Sequence, residues 1–582
     1  MQSRCPKAVI AVLLLVSSSV VADCLAAFDS LRTAGGEIEG GTDNHGHPVN
    51  IANATAMTYA LCIHTCGAGF RLNPWSLFSQ RFSTWLLPFL ALVSQLPFGA
   101  NNRLDNLMSI LLNVGSPTLG AYSLLLTLLN SRWVAHRFSN ISYPNADSAA
   151  RILSSLQQVP LKVITADGLL ASLIILPENN EWWSDLLVWL DINYMYTWSF
   201  ANVASIGWVI VAFSLTIVDT FTDVTNTSFS PLNSNGLAVS FAWLWLLPIV
   251  ISWLQFGPRC DRVSLHRALR HANRLAWVAT PTGNPIPATA QSSRRAVALA
   301  LRDGTHGSDE HRTPPVYNYA RVFRWSAAVE DVYAGFKEAS RRAELHTPVE
   351  GTVWVTGYRE GEINPENRRG SVEHVVNYIH GEAVLKPDRG TLAVGSDIIF
   401  RILASSFFAL LLTWGTVGAA MILDWFTPTI GLSCRSGSYL MYASVSTIAW
   451  ILLVASSILS SLPPPPHLTS PPPPYPRNPR HLARGQTTSV LLRRAGKSLA
   501  ALNAAWLVLN CLFQISGVLD TCWCNSGILH LGSGAYAVWV FTPADVAAFW
   551  YPGMGATVLA GGAVVSFLAF TNVLLDPQAS VS

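Results

Sequence analysis

The chain has 582 residues, of which 50% are hydrophobic and only 12% charged, and its net charge is +3; soluble domains carry roughly a quarter of their residues charged. This composition excludes an ordinary soluble enzyme and predicts an all-α, polytopic helical membrane protein whose first partner is the lipid bilayer. The small positive excess comes from arginines gathered in a few loops, so it bears on membrane orientation and gives no case for a nucleic-acid partner.

In chain order, residues 1–22 combine Arg4 and Lys7, the apolar run AVIAVLLLV and a small-residue site ending at Ala22, the pattern of a secretory signal peptide. Residues 23–81 read as a polar, glycine-rich external segment with the sequon Asn53-Ala54-Thr55. A first membrane region, 82–256, opens with two apolar stretches. Phe82 to Gly99 is broken by Pro88 and Pro97, and Leu107 to Leu129 is firmer; prolines are tolerated in spans where neighbouring helices satisfy the freed carbonyls. Asn145 to Leu161 has amphipathic helical spacing, Val159 to Leu176 is apolar but short, and Pro177 to Asp191 predicts an interfacial helix through Trp182 and Trp183. If both early stretches cross, Val159 to Leu176 must cross as well, and the sequon at Asn140 lies outside. Arg132, Arg137, Arg151 and Lys162 favour the other side. The expectation is about eight transmembrane helices, with seven and nine as the consistent versions.

From Trp198 onward the pattern is regular. Trp198 to Val218 crosses outward, and a loop with acids, no basic residue and the sequon at Asn226 follows. Leu237 to Phe256 returns and ends in Arg259, Arg262, Arg267 and Arg270, which the positive-inside tendency holds in the cytosol. Residues 257–397 then predict a large cytosolic loop module of mixed charge, with helical spacing over Val316 to Leu345. Residues 398–462 form a transmembrane hairpin with Arg401 snorkelling from its cytosolic end. Residues 463–498 read as an extended cytosolic linker, proline-rich and then basic. Residues 499–575 form a second hairpin, and 576–582 a cytosolic tail. The whole predicts a multi-pass protein of the secretory pathway, at the plasma membrane.

This sidedness sorts the chemistry-bearing residues. Cys24, Cys62, Cys66, Cys434, Cys522 and Cys524 all fall outside, an even number in an oxidising compartment. Cys522 and Cys524 are too close to pair with each other, so each is expected to bond elsewhere, tying the last external loop to Cys434 or to the N-terminal segment. His45, His47, Cys62, His64 and Cys66 match no zinc spacing, so no metal ligand is assigned. Both cytosolic loops contain a Pro-Pro-x-Tyr sequence, Pro314-Pro315-Val316-Tyr317 and Pro472-Pro473-Pro474-Tyr475. These resemble ligands of WW domains, which seat a polyproline II turn and take the tyrosine into a neighbouring pocket. Asn503, Asn510 and Gln514 share one face of their span, as interhelical amide contacts or a solute path. The span from Gly553 offers Ala556, Ala560, Gly562 and Ser566 for close packing. Gly496-Lys497-Ser498 lacks the upstream glycine of a phosphate loop, and no catalytic or cofactor motif is present.

The runs FSQRFSTWLLPFLALVSQLPFG (Phe78 to Gly99), SLQQVPL (Ser155 to Leu161), DGLLASLIILPENNEWW (Asp167 to Trp183), WSFANVASIGWVIVAF (Trp198 to Phe213) and WLWLLPIVISWLQ (Trp243 to Gln255) resemble a group of uncharacterised fungal multi-pass membrane proteins. That group has no assigned activity, so the resemblance implies a class and no mechanism. Two function classes stay open: a receptor-like or scaffold protein acting through its cytosolic loops, and a transporter or channel-like protein. The scarcity of charge within the spans favours the first.

Overall fold

A computed structural model describes residues 24–576, apart from 37, 71, 97–102, 193–197, 226–230, 258–260, 292–293, 300–312, 358–361, 381–395 and 462–479. The signal-peptide region, Asn226 and the second Pro-Pro-x-Tyr sequence lie outside the described residues. Among the described residues, six helices are long and apolar enough to cross a membrane: Phe200–Thr222, Ser234–Phe256, Ser396–Phe426, Cys434–Ser461, Thr487–Ser516 and Pro543–Leu575. The 31 residues of Ser396–Phe426 rise about 46 Å, well beyond the hydrocarbon core. They fit a multi-pass membrane protein. Burial grades the bundle: 94% of the apolar stretch of Ser234–Phe256 is buried against 22% for Phe200–Thr222, so the first is walled in by protein and the second faces outward. Side chains without bulk set the closest approach, since a Cβ on Gly415 would lie 2.4 Å from that of Ala563. That contact, with Ala556 and Ala560 buried on the same helix, takes the place of the expected pair Gly562 and Ser566, which face outward.

At one end of the bundle the N-terminal segment and the last loop form a single cap. Strands Gly41–Thr42, Ala56–Thr58 and Tyr536–Val538 build one antiparallel sheet over a small core of Phe28, Ile51, Met57 and Ala537. Disulfides join Cys24 to Cys66, Cys62 to Cys522 and Cys434 to Cys524. The N-terminal segment is thereby covalently tied to the loop before the last span and, through Cys434, to the top of the Cys434–Ser461 helix.

The opposite end carries a module assembled from two parts of the chain, 134–190 and 265–379, around one hydrophobic core that includes Trp182, Trp183, Trp325 and Phe336. The expected boundary at 257 therefore misses half of it. Strand Leu161–Val163 pairs antiparallel with Val297–Leu299, and the next helix, Leu169–Ile175, has seven residues, only about 10 Å of rise. Val159 to Leu176 thus does not cross, which removes the nine-span version. Its apolar run is explained by burial inside a folded module, where hydropathy is the same as in a span. Trp182 and Trp183 are likewise fully buried there, not interfacial. The basic stretch before Leu499 is also corrected. It is not an extended linker from 487 on, because it belongs to the Thr487–Ser516 helix.

The link between cap and module settles the early stretches. Asn73 meets the cap-side end of Thr487–Ser516 through a backbone bond to Ser516, whereas Phe138 lies in the module core. The chain must therefore cross once between them. Residues 75–93 are helical throughout, with a π-helical turn over Phe82–Leu86, and Phe89 and Leu92 are buried in the bundle core. Next, Arg103–Gly115 and Pro117–Phe138 meet at 104°. Ser109 touches Tyr317 of the module and Gly115 touches Ala500 deep in the bundle, so the pair enters from the module side, turns at Ser116 and returns. Six helices among the described residues pass on length and composition, or up to seven if this bent pair is one span; with the pair re-entrant, the crossing between Asn73 and Phe138 is the seventh, and an eighth is not confirmed.

Candidate functional site at the bundle–module junction

Polar residues concentrate where the Pro117–Phe138 helix leaves the bundle. Its Asn130 donates to Gln157 Oε1 (3.3 Å), which also accepts from Asn318 Nδ2 of the module (2.9 Å). Gln157 Nε2 in turn donates to the Thr127 carbonyl (3.2 Å) and Ser131 Oγ (3.0 Å). Ser154 donates to Ser131 Oγ (2.8 Å), and Gln158 Nε2 to Thr127 Oγ1 (3.2 Å). Arg401 closes the network. Its Nη1 donates to Asn130 Oδ1, its Nε to the Asp397 carbonyl (3.2 Å), and its guanidinium lies 4.1 Å from the centroid of the Trp133 ring. Only 3% of it is exposed. Arg401 therefore does not snorkel to solvent. A buried guanidinium is held by neutral oxygens and a ring face, an arrangement that satisfies its donors inside protein.

The Pro314-Pro315-Val316-Tyr317 sequence lies beside this network and is folded inward. Arg321, itself buried, donates to the carbonyls of Thr313, Pro315 and Tyr317, curling the turn around one guanidinium. Tyr317 is 1% exposed and its hydroxyl donates to the Ser109 carbonyl at 2.6 Å. Burial pushes its phenol well above the ordinary range, so it remains a donor. Ser457 donates to the Tyr319 carbonyl (2.6 Å) and Trp325 Nε1 to that of Leu153 (3.0 Å). A WW domain needs this tyrosine free, and here it already fills a pocket of its own chain. Beside the network lie two adjoining cavities of about 200 and 280 Å³ that share Ser154 and Ser155 in their walls.

The other sequence-derived residues lie elsewhere. Asn503 Nδ2 donates to the carbonyls of Gly115 (2.8 Å) and Tyr442 (3.0 Å), and Tyr442 OH to that of Val114 (2.6 Å). Ser116 and Thr118 bond Ser446 and Thr413. These contacts satisfy the backbone groups that the break at Ser116 leaves open. Gln514 Oε1 accepts from Tyr439 (3.1 Å), and Asn510 is buried. Asn53 is exposed on the cap and Asn140 on the module. The sulfurs of Cys62, Cys66 and Cys522 lie within 4.8 Å of one another because two disulfides pack side by side, and disulfide sulfurs are not thiolate ligands.

Sequence reasoning missed two features. Asn130, Gln157 and Asn318 carry no motif, and only the doublet Gln157-Gln158 after an amphipathic helix hints at a polar junction. Asp424, expected in a loop, is inside the Ser396–Phe426 helix and buried, and neither carboxylate oxygen has a hydrogen-bond partner among the described residues. No family model matches the chain, and neither does any curated protein or solved structure.

Proposed function

We propose that this protein is a receptor-like or scaffold membrane protein whose cap faces the exterior and whose module faces the cytosol. The supporting observation is the Arg401 network, which ties a spanning helix, the re-entering hairpin and the module into one buried polar unit. A module attached this way moves with the bundle, which suits relay of a cap-side event or anchoring of a partner at the membrane. The test uses proteoliposomes with the cap outward. A membrane-impermeant phosphine reduces the cap disulfides, and hydrogen exchange is then read in Val322–Glu344. Faster exchange there supports relay; exchange that changes only in the cap overturns it.

A transporter-like role has one observation in its favour. A helix pair broken deep in the bundle, with amide and hydroxyl groups around the break, is the kind of element from which transporters build midplane sites. Solute or ion flux from purified protein in liposomes, abolished by Ser116→Leu, would establish it in place of the first reading.

A further inference from the structure

We propose that the paired cavities at the junction form a lipid-headgroup site that takes an amine-bearing phosphodiester, as in phosphatidylethanolamine. Position is the first argument. Phe256 and Gly257, which end the Ser234–Phe256 span, line the inner cavity, so it opens at the depth of the headgroup layer on the module side. Size is the second: cavities of about 200 and 280 Å³ are smaller than sites for drug-sized molecules, which begin at roughly 300 Å³, and suit a headgroup.

Chemistry narrows the ligand. The inner wall is hydroxyl and amide (Thr127, Ser154, Ser155, Gln157, Gln158), and Gln158, 1% exposed, has an Oε1 with no hydrogen-bond partner among the described residues. An orphan buried acceptor is costly and wants an N–H or O–H donor. The adjoining cavity carries one charge of each sign, Arg151 and Asp191. A zwitterion matches that set: its phosphate faces the guanidinium, and its ammonium supplies a proton to Gln158 Oε1. Choline has no N–H to give, and an anionic headgroup leaves Asp191 opposing it. Ala135, Ala150 and Leu187 on the outer wall offer an apolar path for the acyl chains. This site stands independently of the receptor and transporter readings.

The experiment is native mass spectrometry of the full-length detergent-purified protein with added phosphatidylethanolamine, phosphatidylcholine or phosphatidylglycerol. The expected result is ethanolamine adducts retained about tenfold over choline ones, the factor one charge-assisted hydrogen bond supplies. Millimolar phosphoethanolamine should compete, placing recognition in the headgroup. Gln158→Leu and Ser154→Trp should erase the preference, and Arg151→Ala, at an exposed position, should weaken both zwitterionic lipids alike. Equal retention of ethanolamine and choline lipids by the unmodified protein, strongest retention of phosphatidylglycerol, or a preference that survives Gln158→Leu and Ser154→Trp would each overturn the assignment.

Discussion

Gly115→Ala probes the re-entering hairpin at its tightest point. An added Cβ would lie 1.7 Å from the Ala500 carbonyl oxygen and 2.5 Å from its carbonyl carbon. Both are backbone atoms, so no side chain can rotate away. Comfortable contact needs roughly 3.5 Å, and the hairpin tip must therefore withdraw from the Thr487–Ser516 helix by roughly 2 Å. That carries the Asn503 bond to Gly115 and the Tyr442 bond to Val114, 2.8 and 2.6 Å, beyond hydrogen-bonding range. Interhelical hydrogen bonds in membranes are worth about 0.6 to 1.7 kcal/mol each and overpacking costs about 1 to 3 kcal/mol, so the expected loss is about 2 to 6 kcal/mol. The assay is thermal unfolding in detergent followed by tryptophan fluorescence. Gly207→Ala is the control, because nothing lies within 4 Å of its Cβ position in an exposed span, and it should match or slightly exceed the unmodified protein. Equal midpoints for the two variants would refute the hairpin packing.

Four further outcomes are expected. Glycosidase mapping should find glycan at Asn53 on the cap and none at Asn140 on the module; a glycan at Asn140 would put the module outside. Non-reducing peptide mapping should recover Cys24–Cys66, Cys62–Cys522 and Cys434–Cys524, and Cys62→Ser with Cys522→Ser should cost about 2 to 4 kcal/mol. Arg401→Met leaves the Asn130 oxygen without this donor and removes the Trp133 stacking, at a cost of about 2 to 4 kcal/mol by denaturant unfolding; a silent substitution would dismiss the junction network. Hydrogen bonds from Arg341, and then from Arg342, hold the Glu338 carboxyl below its ordinary 4.5 against the opposing effect of desolvation. Its stabilisation is therefore complete above that value and is lost as pH falls below it. Glu338→Gln should remove that part of the acid sensitivity of exchange in Val322–Glu344, and an unchanged acid profile would dismiss it.

Membrane class and the later spans were legible because hydropathy over a span-length window is dominated by a few strong signals: uncharged runs, arginine flanks and acid-only loops. The same quantity fails for Val159 to Leu176. An apolar run buried in a module and one immersed in lipid have the same composition, and what separates them here is the pairing of Leu161–Val163 with Val297–Leu299, a contact more than a hundred residues long in sequence. Sidedness and spacing likewise carried the cysteine argument as far as keeping Cys522 and Cys524 apart and sending them to Cys434 or the N-terminal segment. Their partners depend on the sheet that lays Tyr536–Val538 against Ala56–Thr58.

The candidate site was illegible for a related reason. Read along the chain, Arg401 is a cation near the end of an apolar helix, and snorkelling is then the cheapest way to keep it hydrated. The fold offers another way, because the broken hairpin brings Asn130 and Trp133 down to the same depth while the module brings Ser326 and Asn318 up to it. Once a guanidinium has neutral oxygens and a ring face in place of water, its desolvation is compensated locally. The residues that compensate it are then committed to one geometry. This is why the Pro-Pro-x-Tyr turn, a surface motif by sequence, is interior by structure: Arg321 and the Ser109 carbonyl use its polar groups to seal the same junction. Freeing Tyr317 for a partner would expose those groups and open the seam between bundle and module, so any partner is better sought on the module surface than at this turn.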